Sequence, residues 1–302
     1  MQYKRNIRMQ RVLLFIILVF LAIRAKSQVF YACKSPNGDT TFYLMGTHHR
    51  LPKKVKLDTI LLGNYLRDCD VVFSEMYIDD GDDGYKTVVS NLEKSKRYHN
   101  DGLLKDSVTK GEYQKIYSYY HSRFGVSKRR FEWASYFRPW VMEYRLRYSG
   151  KEFYSMDKVL YSMAKVKGKV VRNLDNENLL YAAYSELNSI FDIQWLLLRV
   201  KGRDSMMTAN EIFAQSYYLK QDTASILKHR SVNVDPEYQK YLIDDRNRHW
   251  FTVFEKYGGR TNFVYCGMGH IISGQYALLK YFNSKHYSIK AIDFRFLRPG
   301  DE

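Results

Sequence analysis

Three stretches of this chain end on residues able to do chemistry together: Gly46-Thr47-His48-His49, Glu75 and Gly267-Met268-Gly269-His270. Two imidazoles and a carboxylate can hold a divalent metal ion and leave a coordination position open for water. The glycine opening each GxxH lets the backbone turn sharply and pass close to a ligand. Zinc, manganese and cobalt all suit such a donor set. Within it, Glu75 could serve as a metal ligand or as the general base. Taken singly these signals are weak, since a His after a strand is more often a hydrogen-bonded loop residue and a Glu at a strand end is usually solvated or capping. The repeated GxxH, with an acidic strand end between the two copies, is what points to a shared site.

Such a site needs three strands that stop at one edge. Thr40–Gly46, Asp70–Glu75 and Asn262–Gly267 read as strands, rich in β-branched and aromatic residues. In open α/β sheets, ligands bind outside the carboxyl ends of the strands. If these three are parallel neighbours, His49, Glu75 and His270 converge. Leu57 to Arg67 has helical spacing. The acidic stretch Asp79–Gly84 reads as a solvated loop, because the EF-hand spacing is missing. From Lys86 to Ala224 the pattern is mostly helical, interrupted by a strand over Lys169–Leu174 after a helix stop at Gly168. Pro236–Tyr257 reads as one long helix, Gly274–Phe282 as another, and Ser288–Phe294 as a terminal strand. With no internal repeat and no linker, the expectation is an α/β fold with a mixed central sheet and a large helical middle, one domain over residues 28–302.

Further short elements lie between the GxxH copies: Arg138-Pro139-Trp140, Met156-Asp157-Lys158 with Ala164 and Gly168-Lys169, Leu174-Asp175-Asn176-Glu177, and Asp244-Asp245-Arg246-Asn247-Arg248. With the GxxH, Glu and GxxH elements they resemble, in the right order and over nearly all of residues 40–295, the TraB/GumN family, to which the Tiki metalloproteases belong. The resemblance implies a mixed α/β fold with two related halves. It also implies, for Tiki-like members, a metal-dependent active site in which His49, Glu75 and His270 are the metal residues. Two positions depart from the pattern. His48 stands where an aliphatic residue is usual, and it is read as a surface residue, with a neighbouring acid/base role as the alternative. Asp175 replaces the usual Glu and is one methylene shorter, which puts any polar contact there in question. Arg246 could bind a substrate carboxylate or stabilise an oxyanion; equally, it could be an ion pair holding the long helix against the sheet. Pro139 and Trp140 read as packing, and Asp157 as a residue that caps or opens a helix.

The net charge is +16, unevenly placed. Residues 1–27 hold six basic groups and no acid, so the remaining 42 basic and 32 acidic groups give +10. Lys4, Arg5, Arg8 and Arg11 precede twelve apolar residues, Val12 to Ile23. That run is too short for a bilayer span of about 20 residues but fits the core of a secretory signal, with cleavage after Ser27. A periplasmic or secreted location is then expected, an uncleaved signal anchor being the alternative; no later stretch is apolar enough to span a membrane. Phe30-Tyr31-Ala32 before Cys33 is a poor lipidation box. Cys33, Cys69 and Cys266 read as three small buried hydrophobes. The basic charge is dispersed, and Lys128-Arg129-Arg130 is its longest run after residue 27, which disfavours nucleic acid as a partner.

The function expected is an exported metal-dependent hydrolase acting on a peptide or protein, with Glu75 and Arg246 as the catalytic candidates. The alternative is a non-catalytic exported binding protein for a peptide, a haem or a surface polymer.

Overall fold

The computed structural model describes residues 28–75, 104–147, 153–201, 216–233 and 236–297. The leader-like segment and the acidic stretch at 79–84 lie outside them. A six-stranded mixed sheet forms the centre, built from β1 (Phe30–Lys34), β2 (Thr41–Thr47), β5 (Val71–Ser74), β7 (Val170–Asn173), β8 (Thr261–Gly267) and β9 (Ser288–Ala291) in the order β7-β5-β8-β2-β1-β9. Two short ribbons flank it: β3 (Leu51–Pro52) with β6 (Phe153–Tyr154), and β4 (Lys56–Leu57) with β10 (Phe296–Leu297). The three strands expected to carry the site are adjacent and parallel. β8 pairs with β2, setting Gly46 opposite Cys266 and Thr47 opposite Gly267. On its other side it pairs with β5, setting Ser74 opposite Tyr265. β8 is buried from Asn262 onward, as befits a parallel strand covered on both faces, and that explains its unbroken apolar run.

Sequence patterning misses β1. Its Phe-Tyr-Ala-Cys-Lys stands out only as a poor lipidation box, yet it pairs antiparallel with both β2 and β9. Phe30 in this strand is fully buried and touches Tyr65, Phe263 and Phe294. The terminal strand is shorter than expected and ends at Ala291.

Helices α1 (Thr59–Arg67), α2 (Leu104–Ser107), α3 (Lys110–Phe124), α4 (Lys128–Ala134), α5 (Pro139–Arg147), α6 (Met156–Val166), α7 (Glu177–Ile190), α8 (Ile193–Val200) and α9 (Thr223–Asn233) fill the middle of the chain. Side-chain caps mark several starts: Asp58 for α1, Ser155 for α6, Asn176 for α7, and a full Thr109/Glu112 capping box for α3. Two apolar clusters result. The larger lies on the sheet; the smaller joins α2 to α5 with α8 around Tyr120 and Phe131. Inside the smaller one, Glu143 pairs with Arg199 at 2.8 Å and accepts from the Tyr120 hydroxyl. Trp140 and Pro139 do pack: Pro139 opens α5, and Trp140 donates to Asn188 Oδ1 at 2.9 Å with its ring beside Tyr184.

The expected long helix Pro236–Tyr257 is three pieces. α10 (Pro236–Gln239) runs into a π-helical turn, Lys240–Asp244, and then α11 (Asp245–Tyr257). The extra residue in a π turn rotates the helix beyond it, a shift that hydrophobic spacing does not reveal. Two short helices end the fold. α12 (Met268–Ile272) starts directly at the end of β8, and α13 (Leu278–Ser284) replaces the expected Gly274–Phe282. Cys33, Cys69 and Cys266 are buried free thiols, as expected.

Candidate functional site

His49 lies just past β2, Glu75 directly follows β5 and His270 is the third residue of α12 after β8, so the three reach the same edge of the sheet. His49 Nε2 lies 3.8 Å from Glu75 Oε2, and His270 Nε2 lies 3.6 Å from Glu75 Oε1. Glu75 is thus bracketed, one imidazole to each oxygen. Its Oε2 also accepts the Gly267 N–H at 2.9 Å. A Cβ at position 267 would stand 3.1 Å from His49 Nε2 and 3.4 Å from Glu75 Oε2. A side chain there would press on both groups, so the glycine serves close approach and not an unusual φ.

Each imidazole is oriented from behind. His49 Nδ1 is 2.8 Å from Asp157 Oδ2, and Asp157 Oδ1 accepts from Thr47 Oγ1 at 2.8 Å. A carboxylate only accepts, so His49 Nδ1 carries the proton. For His270 the tautomer is set by Asn247. The Asn247 amide nitrogen donates to two carbonyls, those of His270 (2.9 Å) and Tyr276 (2.8 Å). Its Oδ1 is therefore the atom facing His270 Nδ1 at 2.6 Å, and that nitrogen must donate. Both rings turn Nε2 toward Glu75. Trp250 stacks on His270 with centroids 4.2 Å apart.

Arg246 joins these groups. Its guanidinium donates to Glu75 Oε1 at 2.5 Å, to both oxygens of Asp175, and to the Leu242 carbonyl at 3.0 Å. NH1 also lies 3.3 Å from His270 Nε2, which fits an unprotonated nitrogen. Asp175 accepts from Trp250 Nε1 at 2.7 Å as well. The shorter Asp at 175 therefore makes a full set of polar contacts. The two readings of Arg246 merge: it is an ion pair locking α11 to the sheet, and it sits at the site.

Burial works against a charged Glu75, but Arg246 first, then His270 and His49, hold its pKa well below the usual value. Burial pulls His270 down to about 4, so it is neutral at pH 7. For His49, burial alone would lower the pKa; the carboxylates of Asp157 and Glu75 outweigh it and raise the value to about 9.

Two expectations need correcting. His48 is not the surface histidine. It is half-buried, packs its ring at a tilt against Tyr218 and faces the Arg50 carbonyl at 2.9 Å, and burial lowers its pKa; His49 is the one whose side chain is 55% exposed. Asp157 is not the cap of α6, a role Ser155 fills; it orients His49. Sequence reasoning also missed Tyr218, whose buried hydroxyl donates to the Gly46 carbonyl at 2.7 Å and fixes the start of the first GxxH. It missed Trp250 too, although its position four residues after Arg246 puts both on one helix face.

The donor chemistry fits a metal ion. Both Nε2 atoms are directed at one carboxylate, and ligands of a tetrahedral ion at about 2.1 Å sit roughly 3.4 Å apart, close to the separations here. Arg246 now shares Glu75 Oε1 and faces His270 Nε2, so an ion would compete with it. Among the described residues no three His, Cys, Asp or Glu side chains close on one point as a preset cage.

A fold with parallel strands meeting in GxxH, Glu and GxxH defines a class, and comparison with known families agrees with it: the model of the TraB/PrgY/gumN family matches residues 33–291. The chain belongs to that family. No curated protein and no solved structure matches it.

Proposed function

We propose that this protein is a metal-dependent hydrolase acting on peptides, with His49, Glu75 and His270 holding the ion. The observation that carries the reading is the pair of imidazoles, each fixed at Nδ1 by Asp157 or Asn247 and each presenting Nε2 to the same carboxylate. Such outer partners fix the tautomer and raise ligand basicity. A bound divalent ion would polarise a carbonyl and lower the pKa of its water. Around it, Arg246 supplies fixed positive charge, Glu75 is ionised and able to accept a proton, and Trp250 keeps water off the far side of His270. The Gly267 N–H holds Glu75 in place.

A second reading is favoured by one observation. Arg246 already satisfies Glu75 and faces His270, as it would in a binding protein with no open site. One experiment separates the two. Metal analysis of purified protein, before and after chelator, is combined with hydrolysis of a peptide library. About one Mn, Co or Zn per chain, with hydrolysis lost on chelation and restored by the ion, supports the enzyme. No metal and no hydrolysis supports the binding protein.

We also propose that residues 1–27 direct export. The basic start with a short apolar run after it supports this, and a mature protein beginning near Gln28 would bear it out. Among the described residues no helix is long and apolar enough to cross a membrane.

A further inference from the structure

α6 carries two apolar stripes where packing on the sheet requires one. Met156, Leu160 and Ala164 form the first and are buried in the main core. Val159, Met163 and Val166, four and three residues apart, form a second stripe beside it. Met163 leans on α1: a Cβ at Gly63 would stand 4.0 Å from Met163 Cε and 3.4 Å from Lys167 Cε. The second stripe therefore follows the seam between the two helices. A hollow of about 520 Å³ lies on it, its lining including Tyr154, Lys158, Val159, Met163, Val166 and Lys167. Across the seam, Ile60 comes one turn before Gly63 on α1. Val166 is 88% exposed and Ile60 81%, the highest values for large apolar side chains among the described residues. Single exposed apolar groups are ordinary, but a patch around a hollow, rimmed by polar groups, marks an interaction surface.

The charge along the seam has one sign to spare. Residues 58–68 and 155–167 contain three acids, and each is engaged. Asp58 caps α1 by accepting from the Leu61 N–H at 2.9 Å, Asp68 pairs with Arg67 at 3.1 Å, and Asp157 holds His49. Lys158, Lys165 and Lys167 are all exposed, as is Lys56 just ahead of α1. The complementary partner is therefore negative. Its chemistry follows from the kinds of residue present. Protein interfaces favour arginine and aromatic groups and are poor in lysine, whereas the cations of α6 are all lysine and the two protruding apolar groups are aliphatic. Aliphatic side chains suit the boundary of a lipid layer, and lysines on flexible stems reach its phosphates.

We propose that the α1/α6 seam docks this protein on the surface of an anionic phospholipid bilayer. Ile60 and Val166 enter the boundary between headgroups and acyl chains, and Lys158, Lys165 and Lys167 meet the phosphates. Burial to about 5–10 Å is enough for such binding, so it needs no spanning helix. The docking does not depend on whether the candidate site holds a metal or cleaves anything.

The test uses the full mature chain and two kinds of vesicle, pure phosphatidylcholine and phosphatidylcholine with 30% phosphatidylglycerol, with partition measured by cosedimentation at low and high salt. The wild type should favour the anionic vesicles by at least tenfold, and the preference should shrink as salt rises. Each lysine replaced should weaken binding about fivefold, so Lys158→Gln, Lys165→Gln and Lys167→Gln together should cost about a hundredfold. Ile60→Ser with Val166→Ser should cost at least tenfold, and melting temperatures should show both variants folded, since all five side chains are exposed. Removing three charges elsewhere, with Lys128→Gln, Arg129→Gln and Arg130→Gln, should leave binding within twofold of wild type. Equal binding of the two vesicles by the wild type, or binding to neither, overturns the proposal. So does a loss in the 128–130 variant as large as in the seam lysine variant, which would make the attraction one of net charge alone. Poly-glutamate bound as tightly as the vesicles, and lost with the seam lysines but not with Ile60→Ser/Val166→Ser, would assign the face to an acidic protein and overturn the bilayer. If the triple lysine variant fails to fold, the two vesicles and the Ile60→Ser/Val166→Ser variant still decide.

Discussion

Asp157→Asn tests the architecture most directly, because one atom change separates charge from shape. Asn keeps one oxygen to face His49 Nδ1, turns its amide nitrogen to Thr47 Oγ1, which can accept as well as donate, and removes the carboxylate charge. The rise of His49 from 6.5 to about 9 corresponds to about 3 kcal/mol between its two protonation states, at ~1.4 kcal/mol per tenfold. That figure is an upper bound. The His49 side chain is 55% exposed, so solvent screens much of it, and Glu75 supplies a share of what remains; about 1 kcal/mol should belong to Asp157. Linkage sets the sign. A group whose pKa is raised on folding stabilises fully below its unfolded value, here 6.5, and the benefit disappears as pH rises through about 9. Urea unfolding should therefore show Asp157→Asn weaker than wild type by about 1 kcal/mol near pH 6 and nearly level with it near pH 10. In parallel, NMR titration of the ring Cε1–H should show the His49 midpoint moving down by about one pH unit or more. An equal stability gap at both pH values, or an unmoved His49 midpoint, would refute the role given to Asp157.

Other perturbations reach the same network from different sides. Arg246→Met leaves Glu75 and Asp175 facing each other without their shared cation, and should cost about 3–5 kcal/mol by denaturant unfolding; because Arg246 holds Glu75 low, the deficit should shrink as pH falls below 4.5 and the carboxylate takes up a proton. Asn247→Ala removes the acceptor for His270 Nδ1 and the donor for two carbonyls, and should cost about 2–3 kcal/mol; hydrogen exchange should show the loss concentrated in α12. His49→Ala, His270→Ala and the double variant should lose metal to nearly the same extent by elemental analysis, since residues acting as a unit are non-additive. His48→Ala should retain metal; loss of metal from His48→Ala but not from His49→Ala would mean that the wrong histidine has been assigned.

Much of the sheet and the convergence of its motifs was legible because strand ends are written in the local chain. β2, β5 and β8 each show a β-branched or aromatic run ending in glycine or a polar residue, and their parallel adjacency is the arrangement that a ligand site at strand ends requires. What escaped was carried by distance in the sequence. Asp157 and His49 are 108 residues apart, and the first-turn position of Asp157 offered a sufficient local reason for it. His48 and His49 are indistinguishable as letters; which one turns inward is decided by Tyr218, far along the chain. The π turn before α11 interrupts the helix without a break in the apolar spacing, and Arg246 and Asn247, just beyond it, are buried. β1 escapes because five residues beside a leader-like segment carry too little pattern to stand alone, and only pairing with β2 and β9 makes them a strand.

The placement of β8 has a consequence for how the molecule comes into being. The strands that bear His49 and Glu75 are made early and lie close in the chain, yet they do not pair; the gap between them is reserved for residues 261–267. Until that segment arrives, two inner strands present bare N–H and C=O groups to each other and to anything nearby. Closing the sheet requires a contact across some two hundred residues, the kind of long-range pairing that slows folding. A chain emerging from its N-terminus would therefore pass through a stage with a split sheet, exposed sticky edges and half of the candidate site. Chaperone dependence and protease sensitivity should be greatest in that interval. Truncation before β8 would not simply delete one histidine; it would leave the two halves of the sheet with nothing to join them.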